Sequence, residues 1–342
     1  MGEQVTTVAN YGLEPGLRFA VLLDGSGGCR TLDMETARRW TPEDGIIWLH
    51  LERDHPAAAE WVTTRGGFDP LVADALLQEE SRPRVENIDD GLLIILRSVC
   101  AAPPEEAKAG SEEIDLVPLH IWADERRLVT LRDSGHYITA LRDIRLALDK
   151  GKGPRQTGEL LALVSEKLVR DLEPVLDTMD EEVDELDELI FHGEASEVRE
   201  RLKQLRRRSV QLRRYLAPQR DALNRIEHDD APWLKERDKL RFREVIDKLM
   251  RFIEYLDAIR DRTSILHDDL STVISERIAR NSNRLAALAA LLLPPSVVAG
   301  LFGMNVGGIP GVNDTWAFII IVAFVAITSI ATLMILRRIK WL

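Results

Sequence analysis

Two long uncharged segments, at residues 285–303 and 316–336, limit what this chain can fold into more than any other feature. Helices over these segments are roughly 28 and 31 Å long at about 1.5 Å per residue, which matches the roughly 30 Å hydrocarbon core of a bilayer. A buried helical hairpin in a soluble protein is the alternative interpretation. Two full-length uncharged spans with basic flanks favour the membrane, so the sequence predicts two transmembrane helices.

The charges around the two segments predict their orientation. The basic flanks are Arg280, Arg284, Arg337, Arg338 and Lys340, whereas the connecting loop, residues 305–314, contains no Lys or Arg. Because positive flanks stay in the cytoplasm, both termini are expected on the cytoplasmic side of the membrane and the loop outside. Residues 1–16 have neither a basic start nor an apolar run, so membrane targeting is expected to come from the hairpin.

Composition and motifs argue against several classes of function. The formal net charge of −12 disfavours nucleic acid as the partner of the whole chain and is compatible with cations as ligands. His50 and His55 are five residues apart, which does not bring them to one helix face, and the sequence contains no Cys-x-x-Cys pair. Asp24 begins a glycine-rich stretch that lacks the Gly-Lys-Ser/Thr of a phosphate-binding loop. The sequence therefore predicts no enzyme activity and no cofactor.

Residues 1–156 are predicted to form a cytoplasmic α/β/α domain within an α+β fold. Short apolar runs bounded by Gly, Pro and Asp predict strands, and stretches with Pro near their first turn predict helices. The predicted strands are residues 18–23, 46–51, 92–99, 117–123 and 128–131, and the predicted helices are residues 56–64, 70–78 and 134–148. Mixed strands and helices with short links indicate one sheet with helices packed on it.

Residues 157–231 carry no strand pattern and predict a pair of antiparallel helices. Eight of the twelve residues from 177 to 188 are acidic, whereas the helix predicted over residues 194–216 is strongly basic. Pro174 predicts a kink in the first helix, and Pro218 predicts the end of the second. Opposite charges help to hold such a pair together. Two interpretations stay open, a salt-bridged structural pair and an acidic face that attracts cations near the membrane.

Residues 232–284 are predicted to be a very long stalk helix. Its apolar positions recur at steps of three and four, as in a coiled coil, at Leu249, Phe252, Leu256, Ile259, Thr263, Leu266, Leu270 and Val273. No Gly or Pro interrupts residues 233–293, so the helix is expected to continue into the membrane. A charged helix this long needs partners, which predicts self-association. Asp268 and Asp269 are candidate metal-attracting acids, although solvated stalk charge explains them equally well.

The transmembrane domain, residues 285–342, places mostly small side chains on one face of its first helix. These candidate pore-lining residues, at steps of four, four, three and four, are Leu285, Ala289, Leu293, Ser296 and Gly300. Such a face suits close helix packing or a narrow pore. A ring of Asn305 carbonyls at the pore mouth would hydrogen-bond a hydrated ion without stripping its water. Asn305 is therefore predicted to be the outer selectivity ring, above constrictions at Ser296 and Leu293.

Gly303, Met304 and Asn305 follow the first of the two spans, and this arrangement resembles the CorA superfamily of divalent-cation transporters. The likeness includes the Ser-Arg-Pro-Arg-Val-Glu of residues 81–86 and the Asp-Asp-Gly-Leu-Leu-Ile-Ile-Leu-Arg of residues 89–97, which look like that family's soluble domain. The resemblance implies a homopentamer with a funnel-shaped cytoplasmic domain. It also implies that the first membrane helix lines the pore and that the tripeptide is the selectivity filter.

Residues 300–311 and the terminal Lys340-Trp341-Leu342 are most similar to the zinc-transporting ZntB branch of that superfamily. This implies Zn²⁺ as the principal substrate, with proton coupling as an option. Met304 is shared with the magnesium branch, so the tripeptide does not identify the ion. The leading hypothesis is a pentameric inner-membrane Zn²⁺ transporter. Its alternatives are a Mg²⁺/Co²⁺ channel of the same architecture, gated by cytoplasmic metal, and a membrane-anchored scaffold without transport.

Overall fold

The structure is a computed structural model that describes residues 16–79, 82–100, 116–192, 195–304 and 315–338. The chain divides into two compact units. Unit 1 comprises Met1–Glu185 and Arg201–Thr263, and unit 2 comprises Leu186–Glu200 and Ser264–Leu342. Each unit is described by itself. The finer division into four segments at residues 156, 231 and 284 stays a prediction.

Unit 1 is built around a seven-stranded mixed sheet with the order β2-β1-β3-β7-β6-β5-β4. The strands are β1 Leu17–Leu23, β2 Cys29–Leu32, β3 Ile47–Glu52, β4 Arg84–Ile88, β5 Gly91–Val99, β6 Leu116–Ala123 and β7 Arg127–Arg132. All pairings are antiparallel except β3 with β7, where Ile47 pairs with Arg127 and Glu52 with Arg132. Every residue of β6 is buried, as expected for a central strand covered on both faces.

Helices complete the layers of unit 1. They are α1 Met34–Arg39, α2 Pro56–Glu60, which continues as a π-helical turn over Trp61–Arg65, α3 Pro70–Leu77, α4 Thr139–Asp149 and α5 Thr157–Arg170. Residues of α1, α2 and α3 share one buried core with Leu49, Leu93 and Val129 of the sheet, and α5 packs against β5 and β7. The predicted α+β fold is confirmed.

The remaining helices are long. They are α6 Glu173–His192, α7 Ala195–Glu227, α8 Glu236–Phe302 and α9 Thr315–Arg338. The prediction that the stalk runs into the first membrane segment without a break is confirmed, because α8 is a single helix of 67 residues. Leu256, Ile259, Thr263, Leu266 and Leu270 of the predicted seam are all at least nine-tenths buried. Phe252 is only half-buried, and Ile253 takes the buried position instead.

Several local predictions were wrong. Strands β2 and β4 were missed because their side chains are mostly exposed and polar, which removes the apolar alternation that marks a strand. Helix α4 begins at Thr139 rather than at residue 134, after a turn in which Gly135 has a φ of 82°. Pro174 does not kink one helix but lies in the first turn of α6, where its missing N–H has no helical partner to lose.

Pro218 was expected to end a helix, and it lies inside α7 instead. Proline in a helix interior removes one hydrogen bond and crowds the preceding turn, so such a helix is maintained by packing rather than by local propensity. Leu212, Leu216 and Leu223 on either side of Pro218 are all buried. Burial of this apolar stripe explains why α7 continues to Glu227.

Candidate membrane pore

The C-terminal helices of unit 2 expose apolar surface along their length. Helices α8 and α9 each contain an 18-residue window long and apolar enough to cross a membrane, and only 6% of each window is buried. Side chains such as Phe318, 74% exposed, and Ile320, 64% exposed, face no part of the described chain. Apolar surface of this extent is stable only in lipid or against other subunits. The structure therefore agrees with the prediction of two transmembrane helices.

The five candidate pore-lining residues are all exposed on α8. Leu285 is 68% and Leu293 is 64% exposed, and Ala289, Ser296 and Gly300 are exposed as well. Ala289, Leu293 and Ser296 share a shallow groove with Leu292 and Val297. Three of the five candidates therefore share one side of α8, as their spacing predicts. Within the described chain this side is free for a neighbouring helix or for a pore.

Polar groups within this face are few and satisfied locally. The Ser296 hydroxyl donates to the carbonyl oxygen of Leu292 at 2.8 Å, so its own oxygen can still accept a hydrogen bond from water. Pro294 and Pro295 lie inside α8 and lack the N–H groups that would otherwise bond the carbonyls of Ala290 and Leu291. Unbonded carbonyls at membrane depth are tolerated where a neighbour or a water-filled cavity satisfies them.

The end of α8 explains why glycine precedes the methionine. The Gly303 N–H donates to the carbonyl oxygen of Ala299 at 2.8 Å. A Cβ atom added at Gly303 would lie only 2.9 Å from that same oxygen, which is closer than real Cβ atoms come to backbone. Met304 is 51% exposed. Asn305, the predicted selectivity residue, lies outside the described residues.

Asp268 and Asp269, the candidate metal-attracting acids, are exposed on α8. The Asp268 side chain is 89% exposed, and its Oδ1 lies 3.9 Å from Nδ1 of His267. Within the described residues, no group of three His, Cys, Asp or Glu side chains is placed to hold a metal ion. Among the residues that the structure describes, these two acids are therefore solvated charges, and their role as metal-attracting acids stays a prediction.

Four acidic residues of α6 that belong to unit 1 contact arginines. Arg208 lies 3.0 Å from Glu182, and Arg201 lies 2.5 Å from Glu185. The hydrogen bond and the charge of Arg201 lower the pKa of Glu185. Arg262 of α8 lies 3.3 Å from Asp180 and 2.6 Å from Asp184. These ion pairs favour the structural interpretation of the acidic helix over the attraction of free cations.

Unit 1 also contains a cleft that no local sequence pattern predicts. Its volume is about 990 Å³, and its lining comes from separate stretches of the chain between residues 37 and 233, among them Trp61, Trp122 and Trp233. Its residues are too far apart in sequence to form a motif. The tryptophans that line it are spread from Trp40 to Trp233 along the sequence, so no local pattern could have suggested it.

Comparison with known proteins places the chain in a family. The model of the "CorA-like Mg2+ transporter protein" family matches residues 43–338. The chain is 34% identical over 337 residues to the "Divalent cation transporter CmaX" of Pseudomonas aeruginosa, with 97% of this chain and 98% of the relative covered. It is 30% identical over 327 residues to the "Zinc transport protein ZntB" of Pectobacterium carotovorum, with 96% of each covered.

Solved structures agree with this assignment. The full-length CmaX protein matches with a TM-score of 0.79 and 32% identity, covering 97% of this chain and 100% of that one. The CorA magnesium transporter of Methanocaldococcus jannaschii matches with a TM-score of 0.80, covering 94% of this chain and 98% of that one. At 21% identity this second likeness concerns the fold alone. Since the family model spans most of the sequence and the CmaX relative matches nearly end to end, the chain belongs to the CorA-like transporter family.

Proposed function

We propose that this protein transports divalent cations across the inner membrane through a pore formed by several copies of α8. The observation that carries the proposal is the course of α8, which continues as one helix from a charged stalk with a buried seam to Phe302. Its membrane part exposes the stripe of mostly small residues from Leu285 to Gly300. A membrane anchor does not need such a stripe. The lining of a pore does, because small side chains leave room for a hydrated ion.

A pore requires more than one copy of the chain, and we propose a homopentamer. The two apolar spans provide too little surface within one subunit to enclose an aqueous path. The family's fold and the exposure of Leu285 and Leu293 support assembly around a central axis. Native mass spectrometry of the detergent-solubilised protein measures this directly. Five copies are expected, and a monomer or dimer as the largest species would contradict the proposed pore.

The proposed orientation places the α/β domain and both termini in the cytoplasm. Basic residues flank both spans on that side, while residues 305–314 carry no positive charge. Cysteine introduced at residue 312 should therefore react with a membrane-impermeant thiol reagent added outside intact cells. Cys29 and Cys100 should react only after the cells are opened, which makes them internal controls.

For the transported ion we propose Zn²⁺, with Mg²⁺ as the alternative. The relative named a zinc transport protein and the relative named a divalent cation transporter both align over nearly the whole chain, whereas the family model is named for Mg²⁺. Mg²⁺ gives up its water reluctantly and Zn²⁺ exchanges it for nitrogen or sulfur ligands more readily. Within the described part of α8 the candidate pore face offers neither nitrogen nor sulfur ligands, so either ion would pass it hydrated.

Flux into liposomes distinguishes these ions. The purified protein is reconstituted, and Zn²⁺ and Mg²⁺ uptake are compared with and without a pH gradient. Zn²⁺ uptake that increases with the gradient supports a proton-coupled zinc transporter. Mg²⁺ uptake without Zn²⁺ uptake would establish the channel alternative and reject the zinc proposal.

Two substitutions test the site itself. Asn305→Ala should reduce flux of the transported ion by tenfold or more if Asn305 forms the outer ring, since it removes the carbonyl that would contact the hydrated ion. Asp314→Asn, in the same loop, is the matched control and should leave at least half of the flux. If wild-type protein shows no flux, the result supports the scaffold alternative. If Asn305→Ala transports normally, Asn305 is not the selectivity filter.

Asp268 and Asp269 are proposed to concentrate cations at the cytoplasmic part of α8. Their exposure permits this role, because charges in water attract ions without binding them tightly. The Asp268→Asn/Asp269→Asn double variant should lower flux at low ionic strength and approach wild type at high ionic strength. Equal flux of both proteins at low salt would reject this role.

A further inference from the structure

The cleft of unit 1 combines aromatic walls with an excess of carboxylates. It is bounded by the end of α1, the π-helical turn with the loop after it, the β4–β5 turn, the β6–β7 turn and the segment before α8. Its aromatic residues are Trp40, Trp61, Phe68, Trp122 and Trp233, and its acids are Asp69, Asp89, Asp90, Asp124, Glu125, Asp229 and Asp230. The volume of about 990 Å³ lies in the range of small-molecule sites.

The aromatic side chains form a connected wall. The rings of Trp61 and Phe68 meet edge to face with centroids 6.0 Å apart, and those of Phe68 and Trp122 with centroids 5.7 Å apart. Two glycines make this packing possible. A Cβ at Gly66 would lie 2.5 Å from the Phe68 ring, and a Cβ at Gly91 would lie 2.3 Å from the Trp122 ring.

This wall already holds one cation of the protein itself. The Arg127 guanidinium lies 4.6 Å from the centroid of Phe68 and 5.8 Å from that of Trp122. Its Nε donates to Asp124 at 2.5 Å. A cation held between aromatic faces and a carboxylate is the arrangement by which proteins recognise ammonium groups. The position of Arg127 shows that groups of this cleft can hold an organic cation between aromatic rings and a carboxylate.

Charges that remain after this pairing are mostly negative. Arg127 is paired with Asp124, and Arg126 lies 3.7 Å from Glu125. Arg38 and Arg65 then oppose five carboxylates, those of Asp69, Asp89, Asp90, Asp229 and Asp230. Three of these five, Asp89, Asp90 and Asp230, are exposed and have no hydrogen-bond or ion-pair partner within the described residues.

The two acidic edges of the cleft are held in place. The Asn87 side-chain amide donates to Asp229 Oδ2 at 2.9 Å, which connects the β4 strand to the segment before α8. Asp229 Oδ1 also accepts the N–H of Ala231 at 2.9 Å. Asp89 has a left-handed φ of 51° at the turn between β4 and β5. Asp90 and Asp230, which have free carboxylates, therefore each follow a residue whose position is fixed by a turn or by hydrogen bonds.

No group of three His, Cys, Asp or Glu side chains in the described ranges could hold a metal ion, so the cleft does not provide a coordination shell for a transported divalent cation. Its free carboxylates lie on two different segments, the β4–β5 turn and the segment before α8, beside the aromatic wall. Such an arrangement suits a long cation with several charges and an apolar backbone. We propose that this cleft binds a linear polyamine, with its ammonium groups at Asp89, Asp90 and Asp230 and its methylene chain along the aromatic wall.

Isothermal titration of the full-length protein in detergent with spermidine tests the proposal. The triple variant Asp89→Asn/Asp90→Asn/Asp230→Asn removes the three free charges, and Asn tolerates the left-handed backbone at residue 89. Its affinity for spermidine should be at least about tenfold weaker, since exposed ion pairs contribute up to about 1 kcal/mol each. The matched control, Glu60→Gln/Asp74→Asn/Glu79→Gln, removes the same charge from exposed residues outside the cleft and should bind like wild type.

Each other outcome contradicts the proposal. Equal weakening in both triple variants would mean that spermidine responds to net charge and not to the cleft. Unchanged binding in the cleft variant would place the site elsewhere. Absence of binding to the wild-type protein would show that the cleft is closed or filled in the assembled protein. The same three proteins are finally titrated with Mg²⁺. If the cleft variant loses more affinity for Mg²⁺ than for spermidine, the cleft is a metal site.

Discussion

His120 should make the stability of the α/β domain depend on pH. Its side chain is fully buried in β6, and Nδ1 lies 2.8 Å from the carbonyl oxygen of Leu76, so the neutral ring donates this hydrogen bond. Burial lowers the pKa of His120 from 6.5 to about 4. An unfolded chain therefore binds a proton at pH 5 that the folded chain excludes, and stability falls as pH falls from 6.5 towards 4.

The magnitude follows from the two pKa values. Stabilisation from keeping His120 neutral is fully present above its unfolded pKa of 6.5. Linkage with a folded pKa of about 4 gives a loss of about 2 kcal/mol between pH 7.5 and pH 5 and of about 3 kcal/mol by pH 4. A folding free energy of about 5–15 kcal/mol makes such a loss measurable. His50, buried beside Arg132, has its pKa lowered too and acts in the same direction.

The assay compares wild-type protein with His120→Gln. Glutamine is polar and of similar length but does not titrate, so this variant should lose about 2 kcal/mol less than wild type between pH 7.5 and pH 5. Urea unfolding of the detergent-solubilised protein, followed by tryptophan fluorescence at both pH values, gives the free energies. His267→Gln, with an exposed side chain, is the control and should keep the wild-type pH dependence. Equal losses in wild type and His120→Gln would mean that His120 does not cause the pH dependence.

Two further substitutions test the helical part of unit 1. Glu182→Gln removes a partly buried carboxylate 3.0 Å from Arg208 and should destabilise the protein by about 1–3 kcal/mol in thermal unfolding, whereas exposed Glu181→Gln should change stability by less than about 0.5 kcal/mol. Similar effects of the two would mean that the ion pair contributes nothing. Phe242→Ala empties a fully buried position of α8 and should cost about 3–5 kcal/mol in urea unfolding, and Leu240→Ala, 54% exposed, should cost little. A cost below about 1 kcal/mol at Phe242 would contradict its place in the core.

Much of the soluble fold was accessible from local patterns. Strand β6 is apolar throughout, and the seam of α8 repeats with a period close to a heptad, so both were predicted near their observed positions. The polar edge strands β2 and β4 were not predicted, because they acquire their conformation from pairing with β1 and β5 rather than from their own residues. Pro218 was misread for a similar reason, since packing of α7 overrides the local cost of proline.

The candidate pore was predictable as a face but not as an assembly. Spacing alone placed Ala289, Leu293 and Ser296 together, because residues three and four apart always share a face of a helix. Whether that face meets water, lipid or another copy depends on partners that no local pattern specifies. The sequence also did not indicate which arginines pair with the acids of α6, because Arg262 comes from α8, about 80 residues further along the chain.

Two membrane-length helices, a long stalk and a mixed soluble domain could all be predicted from the amino-acid sequence. A bilayer requires a fixed length of uncharged residues, and helices and strands impose different periods on their apolar side chains. In contrast, the parallel pairing of β3 with β7, the ion pairs of α6 and the aromatic, acidic cleft around Phe68 became visible only in the folded chain. These features join residues far apart in the chain, and their positions follow from how the whole core packs.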